Sequence, residues 1–376
     1  MAKSTDPWHF ARPQLARSYL EALLAAPRRP ISIFGPRQTG KTTLLTTDLA
    51  GAAEQEGLVP IYVDLWAQRQ PIMAVGTRLA NHVLDISRRP SRTIVTAVEA
   101  FGVSASFAPP ARAGTQPDSA GQLHNVYAEL RRLLGKKRVL LMLDEIQSIA
   151  EQPQSEENLR ALRALFNQNA EQLLVIMTGS SREKLLKLFS DKGQATFGFA
   201  RQVDFEPLGE EFIEFVAERF NRSSGRSLNE RELGEAFEQL HYRPGDLIDL
   251  VQELLIGART NIRDAIPGFL ESRYPEERHS ERWAALTPLQ RAVFVRAASG
   301  RQAYFSAGAL KEYGGTLGLD KTTKVPPSSV AVALEALVRQ QLLSSTGTRG
   351  EYRIDDEYFA GWVNRSVPPA GSKKSR

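Results

Sequence analysis

Short apolar runs alternate with segments of helical period through the first three-fifths of the chain, falling near 30–34, 59–64, 138–143, 173–178 and 201–206. Runs this short and this continuously apolar are characteristic of strands buried on both faces. The pattern predicts an α/β fold: a parallel sheet with helices on either side. Residues 88–121 interrupt the rhythm. That stretch is rich in Ala, Ser, Pro and Gly, contains Ala108-Pro-Pro-Ala111 and keeps no period, so it reads as an insertion with a mobile loop.

From Gly209 the strands stop and amphipathic helices take over, as in Glu210-Glu-Phe-Ile-Glu-Phe-Val-Ala-Glu-Arg-Phe220 and Glu232-Leu-Gly-Glu-Ala-Phe-Glu-Gln-Leu240. A small helical domain is expected, ending around Tyr274-Pro-Glu-Glu-Arg278. The block from Trp283 to about Arg365 has another rhythm, with helix-like segments at Thr287–Ser299, Ala307–Tyr313 and Ser328–Gln341. Leu342-Leu-Ser-Ser-Thr-Gly-Thr-Arg-Gly-Glu-Tyr-Arg-Ile354 follows, apolar-alternating arms around a Gly-containing centre, which reads as a β-hairpin. Three helices and a hairpin make a winged helix-turn-helix. The expected divisions are therefore 1–208, a sheet domain; 209–278, a helical lid; 279–366, a winged helix; and 367–376, a disordered tail.

In the third helix of that block, Val330, Leu334, Leu337 and Val338 form the expected core stripe. Ser329, Ala331, Ala333, Glu335 and Ala336 are left outward, with Arg339 as the strong partner for phosphate or guanine. Lys321, Lys324, Arg349 and Arg353 can hold phosphates of double-stranded DNA from the loop and wing, while a small-residue helix face equally suits packing on protein.

Composition narrows the classes. With 376 residues there is room for two or three domains with real cores. The absence of cysteine excludes disulfides, thiolate catalysis and cysteine-based zinc sites, and suits a reducing cytosol. His9, His82, His124, His241 and His279 are too scattered for a metal motif and read as structural. No apolar run approaches a membrane span, and residues 1–17 lack the apolar centre of a signal peptide, so a soluble cytoplasmic protein is expected. Charge is uneven: residues 281–376 hold 14 Lys and Arg against 8 Asp and Glu, while residues 1–280 hold 34 against 35. A basic last quarter suits an acidic partner such as nucleic acid, or simply a solvated surface with a basic tail.

The chemistry concentrates in two segments. In the first, Ile31-Ser-Ile-Phe34 runs straight into Gly35-Pro36-Arg37-Gln38-Thr39-Gly40-Lys41-Thr42-Thr43. The glycines let the backbone curl so that successive N–H groups point inward, Lys41 brings a mobile positive charge to the β and γ phosphates, and the Thr42 hydroxyl can sit on Mg²⁺. This is a cradle for a nucleoside triphosphate. In the second, Arg138-Val-Leu-Leu-Met-Leu-Asp-Glu-Ile-Gln147 is an apolar run ending in adjacent carboxylates. At the carboxyl end of a buried strand, Asp144 suits Mg²⁺ and Glu145 can polarise an attacking water. A strand capped by solvated acids is the plainer reading, which the accompanying phosphate loop disfavours.

Leu173-Leu-Val-Ile-Met-Thr178 ends in Thr-Gly-Ser-Ser-Arg182, which offers Thr178 and Ser180 as polar contacts for the γ-phosphate or the water. A helix N-cap from Ser180 or Ser181 ahead of Glu183 explains the same residues. Transition-state charge calls for an arginine, and Arg182, Arg201 and Arg243 are the candidates. Arg201, at the start of the fifth strand, suits a subunit edge from which it reaches a neighbouring protomer. Arg243 opens Arg-Pro-Gly-Asp-Leu-Ile-Asp-Leu-Val251 and suits contact in cis. Each also serves as an ordinary surface or salt-bridge arginine.

Taken together, Phe34-Gly-Pro-Arg-Gln-Thr-Gly-Lys-Thr42, Leu143-Asp-Glu-Ile-Gln147, Met177-Thr-Gly-Ser-Ser181, Arg201-x-x-x-Phe-x-Pro-Leu208 and Tyr352-Arg-Ile-Asp-Asp-Glu-Tyr-Phe-Ala-Gly-Trp362 resemble one family. It is the archaeal-type branch of AAA+-like P-loop ATPases, related to the signal-transduction NTPases with many domains and, more distantly, to origin-recognition initiators. The resemblance covers nearly the whole chain. It implies a sheet in the order 5-1-4-3-2, a helical lid, a C-terminal winged helix, and ATP and Mg²⁺ as ligands. It also implies phosphate, magnesium and water-activating roles for Lys41, Thr42, Asp144 and Glu145. Where many relatives carry Gly-x-Pro in the lid, this chain has His241-Tyr-Arg-Pro-Gly245, which leaves Arg243 either a nucleotide sensor or a helix cap.

Overall fold

Five strands, β1 (Ile31–Phe34), β2 (Val59–Asp64), β3 (Val139–Asp144), β4 (Leu173–Gly179) and β5 (Arg201–Asp204), form one all-parallel sheet in the order β2-β3-β4-β1-β5. Read from the other edge, that is the expected 5-1-4-3-2. The computed structural model describes residues 6–66, 71–87, 119–152, 154–257, 261–320, 324–346 and 350–367, and the chain divides into two compact units between Pro207 and Leu208. Of the expected insertion over 88–121, residues 88–118 lie outside the described residues and 119–121 open a helix; residues 368–376 of the expected tail over 367–376, Lys321 and Arg349 also lie outside them.

The sheet's burial follows its sequence. Every residue of β3 and β4 is buried, because both faces are covered by helices and a solvated face is nowhere needed. Side chains alternate between two cores. Leu141, Leu143, Val175 and Met177 join one on one face, with Leu79, Val126 and Leu162; Leu140, Met142, Leu174 and Ile176 join the other, with Leu20, Leu45 and Leu49. β5 is an edge strand and is correspondingly polar and open.

Among the described residues of this unit the helices, besides a 3-10 turn over Ile146–Glu151, are α1 (Pro13–Ala25), α2, α3 (Pro71–Ile86), α4 (Ser119–Leu134), α5 (Ser155–Asn169) and α6 (Arg182–Ser190). α2 is one continuous run over 41–55, with α-helical Lys41–Thr43, a π-helical turn over Leu44–Leu49 and α-helical Ala50–Gln55. His9 reaches Asp48 of that π turn at 2.8 Å, a structural use of a histidine. All five strands run the same way, so β1, β3 and β4 deliver the ends Gly35, Asp144 and Gly179 to one edge of the sheet.

The second unit begins with four helices, α7 (Glu210–Ser224), α8 (Glu230–Gln239), α9 (Pro244–Ile256) and α10 (Ile262–Arg273). Asn229 and Asn261 cap α8 and α10 by accepting backbone amides. Next comes α11 (Glu276–Ala285), with Pro275 at its N-cap, in the stretch where the helical domain is expected to end. Then follow α12 (Pro288–Ala298), α13 (Ala307–Thr316), α14 (Pro327–Arg339), the antiparallel pair β6 (Leu343–Ser345) and β7 (Tyr352–Ile354), and α15 (Glu357–Ser366). Phe294, Leu334, Leu337, Phe359 and Trp362 belong to a common core there. The α14 surface differs from expectation. Ala333 is buried in that core and Ala336 is buried as well, and the exposed positions are Pro327, Ser328, Val332, Glu335 and Arg339.

Candidate functional site

The loop after β1 curls because two of its residues take left-handed backbone, Gln38 at φ 62° and Gly40 at φ 94°. Gly35 is required for a different reason: a Cβ there would lie 2.7 Å from Phe205 Cβ. The Lys41 side chain folds back under the loop. It is 5% exposed, and its ammonium donates to the carbonyl oxygens of Gly35 at 2.7 Å and Pro36 at 2.5 Å. Thr39 donates its hydroxyl to the same Pro36 carbonyl at 2.8 Å, while Arg37 and Thr43 are exposed. A buried ammonium at the start of a helix, beneath a curled loop, favours an anion there.

Thr42, at the start of α2, donates its hydroxyl to Asp144 Oδ2 at 2.6 Å. Asp144 ends β3 and is 4% exposed, so its charge needs partners. It has three: Thr42, the Tyr62 hydroxyl from β2 at 3.0 Å, and the Thr178 hydroxyl from β4. Burial, then the Asp144 charge, pushes the Tyr62 phenol far above its ordinary range, so it stays a donor. Thr178 serves twice, since its oxygen also accepts the Glu145 amide at 3.4 Å.

Glu145 itself has φ 57° and ψ 50°, a left-handed backbone that a residue with a Cβ adopts only where its surroundings enforce it. The twist turns its carboxylate away from Asp144 toward β4. There the Ser180 hydroxyl donates to Glu145 Oε2 at 2.7 Å, the Gln147 amide donates to the same oxygen, and Gln147 also donates to Ser180 Oγ at 3.2 Å. Close packing reinforces the arrangement: a Cβ on Gly179 would lie 2.6 Å from Gln147 Oε1 and 2.8 Å from Leu185.

Of the residues singled out in the sequence, Lys41, Thr42, Asp144, Glu145, Thr178 and Ser180 are thus linked at one end of the sheet. The two serines separate cleanly. Ser181 caps α6 by accepting the Lys184 amide at 3.4 Å, whereas Ser180 is buried against Glu145. Arg182 pairs with Asp204 and lies 4.4 Å from the Phe34 ring centroid. Arg201 is exposed at the start of the edge strand β5. Arg243, in the second unit, stands at the N-cap of α9 without capping through its side chain. Its guanidinium lies over Tyr358 at 4.7 Å, donates to the Tyr274 hydroxyl at 3.3 Å and faces Glu357 at 3.8 Å. Tyr62 carries no motif that announces it in the sequence. Gln147 stood in view inside the acidic motif, but only the turn at Glu145 brings it back onto the carboxylate.

The donors suit magnesium chemically. One hydroxyl and one carboxylate are the sparse, hard-oxygen share that Mg²⁺ takes from a protein when phosphates and waters complete its shell. Among the described residues no group of three or more His, Cys, Asp or Glu could form an all-protein metal cage. Nor is any described helix long and apolar enough to cross a membrane.

Residues 13–176 match the family described as an AAA ATPase domain. No curated protein sequence matches the chain. Among solved structures, the chain is similar to a Walker-type ATPase of Pyrococcus abyssi, at 20% identity over 97% of this chain and 98% of that one, with a TM-score of 0.62. It is also similar to the ORC2 protein of Aeropyrum pernix in ADPNP and ADP complexes, at 15% identity over 96% and 97% of the two chains, with a TM-score of 0.55. At these identities the likeness is one of fold. The first unit has the fold of a P-loop NTPase, and most of it is similar to the AAA ATPase domain family.

Proposed function

We propose that this chain, an AAA-type P-loop ATPase domain joined to a largely helical second unit, is an ATP-hydrolysing switch that relays nucleotide state to a C-terminal winged-helix module. The observation that carries the proposal is the chain of contacts from Thr42 through Asp144 and Thr178 to Glu145 and Ser180, next in the chain to the buried Lys41 ammonium. Phosphoryl transfer asks a protein for positioning and charge more than for covalent chemistry, and these residues supply both. Gly35, Pro36, Arg37, Gln38, Thr39, Gly40 and Thr43 shape the cradle. Lys41 exchanges its two carbonyl partners for phosphate oxygens. Thr42 and Asp144 would hold Mg²⁺, which neutralises developing phosphate charge when bound. Glu145 accepts a proton from the attacking water, and Ser180 with Gln147 sets the direction of its carboxylate. Arg201, open at the sheet edge, is suited to complete a neighbouring protomer's site in a homo-oligomer.

Coupling within the second unit is supported by a buried polar cluster. Asp246 of α9 is 2% exposed and accepts from the Tyr274 hydroxyl at 2.9 Å, the Tyr358 hydroxyl of α15 at 3.3 Å and Arg273 Nε at 2.9 Å. Arg243 lies on the same Tyr358 ring. Such a network resists separation of α9 from α15, so helices 209–278 and the module behind them move together.

The experiment is ATP turnover by the full chain with and without duplex DNA, alongside molecular mass in each nucleotide state. Magnesium-dependent turnover is expected; its absence in a chain that binds ATP overturns the switch. The basic last quarter supports a second reading, a nucleotide-regulated DNA-binding regulator with little hydrolysis. The outward face of α14 weighs against base reading by that helix, since Val332 and Glu335 stand where basic or amide side chains would be needed. A module that recruits protein instead predicts no change in turnover with DNA.

A further inference from the structure

One contact joins the phosphate loop to the outer rim of the sheet beside Asp144. The Arg37 guanidinium lies over the Trp66 ring, 4.5 Å from its centroid. Arg37 is exposed next to Gln38, whose left-handed backbone marks the turn of the loop. Trp66 follows the last residue of β2, Asp64, which is in register with Asp144 of β3. The strand exit is pinned: the Leu65 amide donates to the Asp144 carbonyl at 3.1 Å, and the Trp66 amide donates to the Asp64 carboxylate at 2.9 Å. The indole is 50% exposed and so within reach of a ligand at the mouth of the loop.

We infer that Trp66 is a positioning residue that holds Arg37 at the mouth of the cradle, and that the pair distinguishes a nucleoside triphosphate from a diphosphate. The inference rests on the ATP site proposed above and adds the side chains that read its terminal phosphate. Arg37 and Lys41 are the two cations between Gly35 and Thr42. Lys41 points inward, on the Gly35 and Pro36 carbonyls, so the outer phosphate oxygens call for a cation from the rim. An exposed cation–π contact is a weak restraint, whereas guanidinium–phosphate hydrogen bonds are charge-assisted and frequently bidentate. Arg37 therefore leaves the indole when a terminal phosphate comes within reach. A guanidinium already ordered on a fixed ring also loses less freedom in doing so.

The test measures ATP and ADP affinities of the full chain in magnesium by equilibrium dialysis, which is independent of tryptophan, together with tryptophan emission. ATP is expected to change the emission more than ADP does, and the difference should vanish in Trp66→Phe. Arg37→Ala and Trp66→Leu should each lower the ATP-to-ADP affinity ratio by about fivefold or more, while Trp66→Phe, which keeps an aromatic face, holds it within about twofold. Both side chains are exposed, so no core cavity opens, and circular dichroism checks the fold. An unchanged ratio in Arg37→Ala and Trp66→Leu overturns the inference while leaving the ATP site standing. A wild-type chain that binds neither nucleotide overturns the ATP site itself.

Discussion

Ser180 donates its hydroxyl to Glu145 Oε2 at 2.7 Å, and so the end of β4 aims the carboxylate that follows β3. Its neighbour Ser181 does something unrelated, capping α6. The two alanine variants should therefore diverge. Ser180→Ala is expected to slow turnover about tenfold with little change in ATP affinity, as loss of an orienting partner does elsewhere. Ser181→Ala should cost about 1 kcal/mol of stability and leave turnover nearly intact. Steady-state kinetics and thermal melting of both variants check the contrast; equal kinetic losses would refute the assignment.

Glu145→Gln keeps the side-chain shape and removes the base. Retained ATP binding with turnover lowered by about a hundredfold or more is expected. Lys41→Ala should differ, weakening ATP binding itself, because it removes the one ammonium buried beneath the loop. Dialysis against ATP and single-turnover hydrolysis separate the two; unchanged turnover in Glu145→Gln would remove it from the mechanism.

How far the sequence anticipates these sites depends on whether the signal is local. β3 and β4 were legible because strands buried on both faces have no polar positions to hide among. Gly35 to Thr42 was legible because the cradle is continuous in the chain. The Thr42–Asp144 contact is not local, yet each half carries its own motif. Tyr62 carries none: a tyrosine in β2 meets Asp144 only because β2 pairs with β3. On α14, Ala333 and Ala336 read as surface residues because they are small, yet both are buried, and Ala333 packs in the core, where close packing takes small residues. The roles of Arg201 and Arg243 stay beyond a single chain's pattern, since an arginine's partner decides them.

Gly179 supplies a steric test. A methyl group there would press on Gln147 Oε1 and Leu185, both packed beneath the Glu145 carboxylate. Gly179→Ala is expected to destabilise the fold by about 1–3 kcal/mol and to slow turnover, because Gln147 must move to make room. Denaturant unfolding and turnover measured on one preparation check the coupling. A loss of stability without a kinetic effect would detach Gln147 from the site.

Asp246 anchors the polar cluster of the second unit, so Asp246→Ala should remove about 2–3 kcal/mol by stranding two hydroxyls and an arginine. Arg273 keeps Asp249 at 2.9 Å as a second partner, which limits the loss. Amide hydrogen exchange should show faster opening of α15 in the variant. Unaltered exchange there would mean that α9 and α15 are held together by other contacts.

Acid should weaken the second unit through its histidines. His279 is 6% exposed and stacks against Trp362 with ring centroids 5.9 Å apart, its Nδ1 without a hydrogen-bond partner. Burial holds its pKa below the ordinary imidazole value, against the pull of Asp356, and Arg282, Arg365 and Arg278 act in the same direction as burial. His241 is lowered likewise, by burial and then by Arg243, with Asp356 and Asp246 opposing. A lowered folded pKa means that the unfolded chain binds protons first. Stability from these groups is therefore full above the unfolded value near 6.5 and falls as pH drops below it. Glu357, raised by burial, acts with the opposite sign: its contribution is full at low pH and fades as pH rises through its folded pKa. The histidine contribution is isolated by His279→Phe, which preserves an aromatic ring against Trp362 and cannot be protonated. Melting of the full chain at pH 7.5 and pH 5.5 should show a smaller acid-induced drop in this variant than in the wild type. Identical drops would show that His279 carries no share of the acid sensitivity.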